Sequence, residues 1–318
     1  MNLAETGEFG LIARVIARLG AGPASLLGPG DDAAVVAARD GRVVATTDVL
    51  VEGRHFRRDW SSATEVGHRA AAANMADIAA MGAVPTALLV ALCAPAELDV
   101  RWAEELADGL GAEAAEAGAS VVGGDMSASP TLTIAVTALG DLRGSAPVLR
   151  SGARPGDVVG LAGRVGYAAA GYTVLSRGFR TPSLLVKAYR RPEVPYAAGP
   201  AAARAGATSM IDVSDGLLAD LGHVANASGV HIDVEAAALD MPDQMRDAAE
   251  ALGLDPYAWI LTGGEDHALA GTFPGEPLPE GWRVIGRVLE GGGVTVDGES
   301  FPGPPGWDHF ADPRTFQW

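Results

Sequence analysis

One cysteine and one lysine in 318 residues remove several chemistries at the outset. Cys93, in the apolar stretch TALLVALCAP, cannot form an internal disulfide or a cysteine-rich zinc site, and it reads as a buried strand residue. Lys187, in SLLVKAYRR, follows no glycine-rich loop, which excludes the GxxxxGK[ST] phosphate loop. No convincing glycine-rich loop, HRD or DFG set makes it a protein-kinase lysine. No GxGxxG opens a helix after the first strand, so dinucleotide binding has no support. The six histidines show neither HExxH nor HxH spacing, against a histidine-based zinc hydrolase. No run approaches the roughly 18 uninterrupted apolar residues of a membrane span, and Glu5 and Glu8 stand where a signal peptide would be basic. The expectation is a soluble, unexported, cytoplasmic chain.

Positive charge is scarce as well. Lys and Arg number 23 against 40 Asp and Glu, a formal net charge of -17. A protein that tracks nucleic-acid phosphates needs a basic face, and none is present. At 48% hydrophobic content the chain is too apolar for disorder and too long for one typical core, so two domains are expected.

What the chain does have is acid beside glycine, four times, where strand patterns run out: Gly30-Asp31-Asp32, Gly124-Asp125, Asp215-Gly216 and Gly264-Glu265-Asp266. Glycine tolerates positive φ and close approach to the backbone, so each turn can swing a carboxylate toward a cleft while leaving N–H groups free for phosphate. Any one of these is as well explained by turn or cap chemistry. Together they point to polyphosphate chemistry, in which divalent cations reverse the field that an acidic protein presents to anionic substrates. Hard oxygen ligands of this kind suit several Mg²⁺ ions.

The pattern predicts an amphipathic opening helix with Leu11, Val15, Ile16 and Leu19 on one face. A hairpin about Asp40-Gly41 then joins AAVVAA to RVVATTDVLV. A helix follows from about 63 to 81, stopped by Gly82 and Pro85. Strand TALLVALCA, helix DVRWAEELADGLGAEAAEAG and strands SVVGG and TLTIAVTALGD complete a first domain, 1–142. A second, 143–318, begins with DVVGLAG. It continues through helix YAAAGYTVL, a proline-punctuated helical region, strand TSMIDVS, helix GLLADLGHVANASG, strand VHIDVE, a helix near 243–252, strands HALAGTF and WRVIGRVLE, and a Gly/Pro-rich tail. The fold class is α/β (α+β).

Alternation sends Thr46 and Asp48 to one strand face and Thr47 to the other. A β-propensity strand with a solvated Asp48 fits equally well. Asn74, Asp77 and Met81 share a helical face, where an acid among small apolar residues calls for a partner. Asp212 and Asp215 bracket Ser214 where a strand turns into a helix. Ser214 or Asp215 either caps that helix or stands at an anion site. Arg150 and Arg164 are the basic residues best placed to meet phosphate, or else surface residues. The loop Gly163-Arg164-Val165-Gly166 is better read as a plain strand-to-helix turn than as a phosphate loop.

The motifs GPGDDAAVV, TTDVLVEGRHF, NMADIAAMGA, VVGGD, RSGARPGD, IDVSDGL, LTGGED and GWDHF, in order over nearly the whole chain, resemble the thiamine-monophosphate kinases. More broadly, they resemble the aminoimidazole ribonucleotide synthetase-like superfamily. That resemblance implies the two-domain superfamily fold, a homodimer formed by the first domains, and ATP as co-substrate for phosphorylating thiamine monophosphate. It implies Mg²⁺ on Asp32, Thr46, Thr47, Asp48, Asp77, Asp125, Asp212 and Asp215. ATP would meet Gly124, Asp125, Arg150 and Ser214, and thiamine phosphate His55, Glu265 and Trp307. No side chain is required as a general base, because a phosphate monoester, with a second pKa of about 6, is already anionic at neutral pH. Where relatives often carry a tyrosine before the GGD turn, this chain has Ala107, which removes an aromatic nucleotide contact. The alternatives are a sibling synthetase, although those use a first-domain lysine or an early cysteine that this chain lacks, and a non-catalytic sensor of the same ligands.

Overall fold

The computed structural model describes residues 2–6, 8–20, 22–27 and 34–307. The chain divides into two compact units, Met1–Ile78 with Ala83–Gly144, and Ala79–Gly82 with Ser145–Trp318.

The first unit opens with α1 (Leu3–Thr6) and α2 (Glu8–Ile16), then a small ribbon of β1 (Ser25–Leu27) and β2 (Val35–Val36). It continues with β3 (Val44–Val51), α3 (Ala63–Ala80), β4 (Val84–Ala94), α4 (Val100–Glu116), β5 (Val121–Ala128) and β6 (Thr133–Asp141). The four-stranded sheet runs β3-β6-β4-β5, antiparallel except for the parallel β4/β5 pair. Leu50, Leu88, Leu92, Val122, Ile134, Val136 and Ala138 form its buried layer. Alanine-rich α3 is buried nearly all round, as its almost unbroken small apolar run between Ala70 and Ala80 requires. Its crossing with α4 depends on two glycines. A Cβ on Gly67 would lie 2.2 Å from Leu106 O, and one on Gly109 2.0 Å from Thr64 O. One turn along, His68 Nδ1 and Glu113 Oε2 pair at 2.8 Å inside the same interface. Asp99 caps α4 by accepting from Arg101 N.

The expected hairpin about Asp40-Gly41 does not form: β2 pairs with β1, and β3 pairs with β6. The turn is there, with Gly41 at φ 77, but Asp40 spends its carboxylate on Arg42 and on Gly144 N. A turn signal names a reversal without naming which strand it serves.

The second unit comprises β7 (Val158–Ala162), α5 (Tyr167–Ser176), α6 (Ser183–Arg190), α7 (Ala198–Arg204), β8 (Ser209–Val213), α8 (Leu217–Ser228), β9 (His231–Val234), α9 (Asp243–Leu252), α10 (Pro256–Thr262), β10 (Ala268–Phe273), β11 (Trp282–Leu289) and β12 (Gly293–Val296). Its six-stranded sheet has the order β12-β9-β11-β7-β10-β8, and all neighbours are antiparallel except β12/β9. β8 and β10 are buried along their whole length, including Ser209, Asp212 and Thr272. Among the described residues, no helix is long and apolar enough to cross a membrane.

Candidate active site

In the first unit, Thr46 and Asp77 are brought together. Thr46 Oγ1 on edge strand β3 donates to Asp77 Oδ2 on α3 at 2.7 Å. Asp48 lies two residues along on the same strand face and is exposed. Thr47 points the other way, donating to Val136 O and accepting from Thr137 Oγ1. His55 closes the turn after β3: its Nδ1 accepts from Val51 N at 3.0 Å. On α3, Asn74 is fully buried and spends its amide N–H on Ala70 O. Ala107, the position without an aromatic, is buried in α4.

Gly123-Gly124-Asp125 does not end a strand, because β5 runs on to Ala128. The register Asp125↔Ala91↔Ala135↔Val49 puts Asp125 on the sheet face of Thr47, opposite Thr46 and Asp48. Gly124 is required by packing, since a Cβ there would sit 1.9 Å from Val90 O. Asp32 lies outside the described residues.

In the second unit the sheet itself assembles the acids. The antiparallel pairing of β8 with β10 sets the turn after Val213 against the turn before Ala268. Asp212, 4% exposed, meets His267 Nδ1 at 3.3 Å. Ser214 O accepts from Glu265 N, and Asp215 O from Trp307 N, both at 2.8 Å. Gly264 and Gly306 permit this closeness, because Cβ atoms there would lie 2.0 Å from Ser214 O and 2.5 Å from Asp215 O. Glu265 and His267 hold positive φ, 70° and 52°, a conformation that such residues adopt only when the surroundings enforce it.

Two acids outside the predicted ligand set, Asp220 and the Asp266 of the Gly264-Glu265-Asp266 turn, fill the positions offered to phosphate. Asp220, in the first turn of α8, accepts through Oδ2 from the N–H groups of Ser214, Asp215 and Gly216 at 3.0, 3.1 and 3.1 Å. Burial, then the negative charge of Asp212 and Asp215, pushes its carboxyl up to about 8. Asp266 occupies the N-terminus of α5, accepting from Ala168 N at 3.0 Å, and burial raises its carboxyl to about 7. The loop Gly163–Gly166 is thus the strand-to-helix turn the sequence favoured. Arg164 pairs with Glu193 at 3.0 Å and covers the Tyr167 ring. A sequence signal for Asp220 existed: an acid four residues after the turn glycine, within reach of the helix's own orphan N–H groups. Arg150 is exposed, and its neighbour Leu149 bonds Met210, at the opposite end of β8 from the Ser214 turn.

The donors in both units are hard oxygens. Among the described residues, no three His, Cys, Asp or Glu side chains form a group able to hold a metal ion by themselves. Mg²⁺ fits such sets, since it is usually held by one or two carboxylates and completed by substrate phosphate oxygens and water. The repulsion that Asp220 registers from Asp212 and Asp215 is the excess negative charge that a divalent cation would neutralise.

Two family models match: the AIR synthase related protein N-terminal domain over residues 30–142, and its C-terminal domain over residues 154–299. A thiamine-monophosphate kinase of Mycobacterium tuberculosis is 51% identical over 314 residues, covering 98% of this chain and 94% of the relative. The crystal structure of thiamine-monophosphate kinase from Stenotrophomonas maltophilia superposes with a TM-score of 0.78 at 33% identity, covering 92% of this chain and 95% of that one. A structure of AaThiL complexed with AMPPCP and TMP superposes with a TM-score of 0.79 at 34% identity, covering 98% and 99%. With both domain models and near-full-length identity of this order, the chain belongs to the thiamine-monophosphate kinase family, built on two AIR synthase related domains.

Proposed function

We propose that this enzyme transfers the γ-phosphoryl group of ATP to the phosphate of thiamine monophosphate, making thiamine diphosphate and ADP, in the cytoplasm. The observation that carries this reading is the concentration of acids about the Ser214–Gly216 turn, its backbone bonded to Glu265 and Trp307. That turn lies in a chain that matches kinases of this substrate over nearly its whole length.

An acceptor phosphate oxygen forms the new bond to the γ-phosphorus as the bond to the β-phosphate bridging oxygen breaks, in line and through a loose transition state. The acceptor is anionic at neutral pH, so no side chain need remove its proton. Asp77, Asp48 and Thr46 in the first unit and Asp212 and Asp215 in the second would hold Mg²⁺. Asp32, Thr47 and Asp125 belong to the same proposed set. Bound Mg²⁺ would supply charge neutralisation between two mutually repelling phosphates. Gly124, Asp125, Arg150 and Ser214 are assigned to ATP. With the turn N–H groups committed to Asp220, Ser214 has its hydroxyl to offer. His55, Glu265 and Trp307 are assigned to thiamine phosphate, Glu265 and Trp307 as an acidic and aromatic lining for its cationic ring.

A homodimer through the first unit accompanies this reading. Its support is the sheet face away from α3 and α4, where Val49 and Leu89 are 45% and 38% exposed. Purified protein incubated with ATP, Mg²⁺ and thiamine monophosphate should yield thiamine diphosphate by chromatography. Absence of product under those conditions, with ligand binding intact by calorimetry, would favour the sensor instead.

A further inference from the structure

The turn between β8 and α8 has all of its polar backbone atoms committed in two directions. Inward, the N–H groups of three consecutive residues, Ser214, Asp215 and Gly216, converge on one oxygen of Asp220. Outward, the carbonyls of Ser214 and Asp215 take the N–H groups of Glu265 and Trp307. The peptide groups of the turn are planar, so fixing an N–H fixes the direction of the carbonyl on the other side of the same plane. The N–H of Asp215 shares its plane with Ser214 O, and the N–H of Gly216 shares its plane with Asp215 O. Asp220 therefore sets the directions of the two carbonyls that receive Glu265 and Trp307.

Gly216, at the N-cap of α8, has φ 136 and no side chain with which to cap the helix. Asp220 is 3% exposed, and its own N–H donates to Gly216 O at 2.9 Å, which places its side chain directly behind the turn. A polar group buried this deeply is costly unless hydrogen bonds satisfy it, and these three N–H donors do so for Asp220 Oδ2.

We infer that Asp220 is a positioning residue of the phosphoryl-transfer site. Through the backbone, one buried side chain fixes both the candidate metal ligand Asp215 and the segments carrying Glu265 and Trp307. It touches no substrate, and it acts by holding the turn. The assignment of metal and substrate to those residues rests on the proposed function, whereas the mechanical part does not.

The experiment compares the full chain with Asp220→Ala, Asp220→Asn and Asp220→Glu. Asn keeps an acceptor oxygen at the same reach. Glu keeps the carboxyl group but displaces the oxygen by a methylene, and it serves as the second disrupting variant if the alanine protein does not fold. Amide hydrogen exchange at residues 214–216, 265 and 307 is the readout independent of activity. In Ala and Glu these amides should exchange about tenfold faster or more, the factor corresponding to loss of one hydrogen bond, with Asn near wild type. KM for thiamine monophosphate and the Mg²⁺ concentration for half-maximal rate should rise together in Ala and Glu and return toward wild type in Asn. Unchanged exchange at 265 and 307 in the disrupting variants overturns the proposal. So does a uniform loss of thermal stability and kcat with both constants unmoved. A wild-type protein that makes no thiamine diphosphate would sink the functional reading alone, since the exchange pattern still decides whether Asp220 holds the turn.

Discussion

Thr46 Oγ1 donates to Asp77 Oδ2 at 2.7 Å, and this bond ties the edge strand of the first sheet to the helix that covers it. The donor satisfies one oxygen of a half-buried aspartate set among small apolar residues of α3. Thr46→Val, which keeps the shape and removes the donor, should lower the free energy of unfolding by about 1.5–3 kcal/mol, the range for a bond to a charged group. Thr46→Ser should keep most of it. Equal urea midpoints for wild type and Thr46→Val would show that the bond contributes nothing.

Asp215 contributes its backbone carbonyl to the fold, and its carboxylate is a proposed Mg²⁺ ligand. Asp215→Asn leaves the bond to Trp307 N in place, so the melting temperature should shift by no more than about 3 °C. If the carboxylate holds Mg²⁺ against the transferring group, kcat should fall by about 100-fold or more, the scale seen when a transition-state charge partner is removed. Near-normal turnover would place this acid outside the reaction.

Much of the fold was legible because helix and strand periodicities are local. α3 was expected over 63–81 and spans 63–80; the strands of TALLVALCA, DVVGLAG and TSMIDVS appear where their apolar runs stand. What failed was partnership. Asp40-Gly41 marked a real turn, but pairing depends on which distant strand buries the better face, and β6 takes β3. Asp125 looked terminal because glycines usually interrupt strands. Here Gly124 lets β5 lie close against β4, and the strand continues. α10 and β12 were not anticipated, each being short and without a clear period. In the site, the candidate acids about Ser214 were readable from their glycines. Asp220 carried a local signal, an acid four residues after the turn glycine, whereas the role of Asp266 was not readable, because Ala168 N becomes its neighbour only once β7 and β10 pair.

Asp266 gives a dependence of stability on pH. Its carboxyl is raised from 3.8 to about 7 by burial, so the folded state holds a proton that the unfolded state has released. Its contribution is complete below about pH 4, diminishes as pH rises and is gone above about pH 7. Each pH unit in that window is worth about 1.4 kcal/mol, which makes about 4 kcal/mol the upper bound. Asp266→Asn, neutral throughout, should remove this slope, so that its unfolding free energy gains on wild type between pH 5 and pH 8. Parallel stability curves for the two proteins would show that Asp266 is ionised in the fold.

The exposed face of the first sheet tests the dimer. Leu89 pairs across β6 with Thr137, which pairs with Thr47, so these residues and Val49 line one surface whose opposite side is buried under helices. A half-apolar sheet face of this kind is stabilised by covering it, and a lasting interface needs roughly 1,200 Å² or more in total. Leu89→Glu places a charge at the centre of that face in each copy, where the two would repel at close range. Light scattering should give a dimer for the wild type and a monomer for Leu89→Glu at micromolar concentration, with circular dichroism unchanged. Cys93, the chain's single cysteine, lies on the same face opposite Thr133 and is half-buried, so its alkylation should be slow in the dimer and fast in the variant. A wild type that is monomeric and alkylates as fast as Leu89→Glu would leave this face uncovered in solution and end the case for association through it.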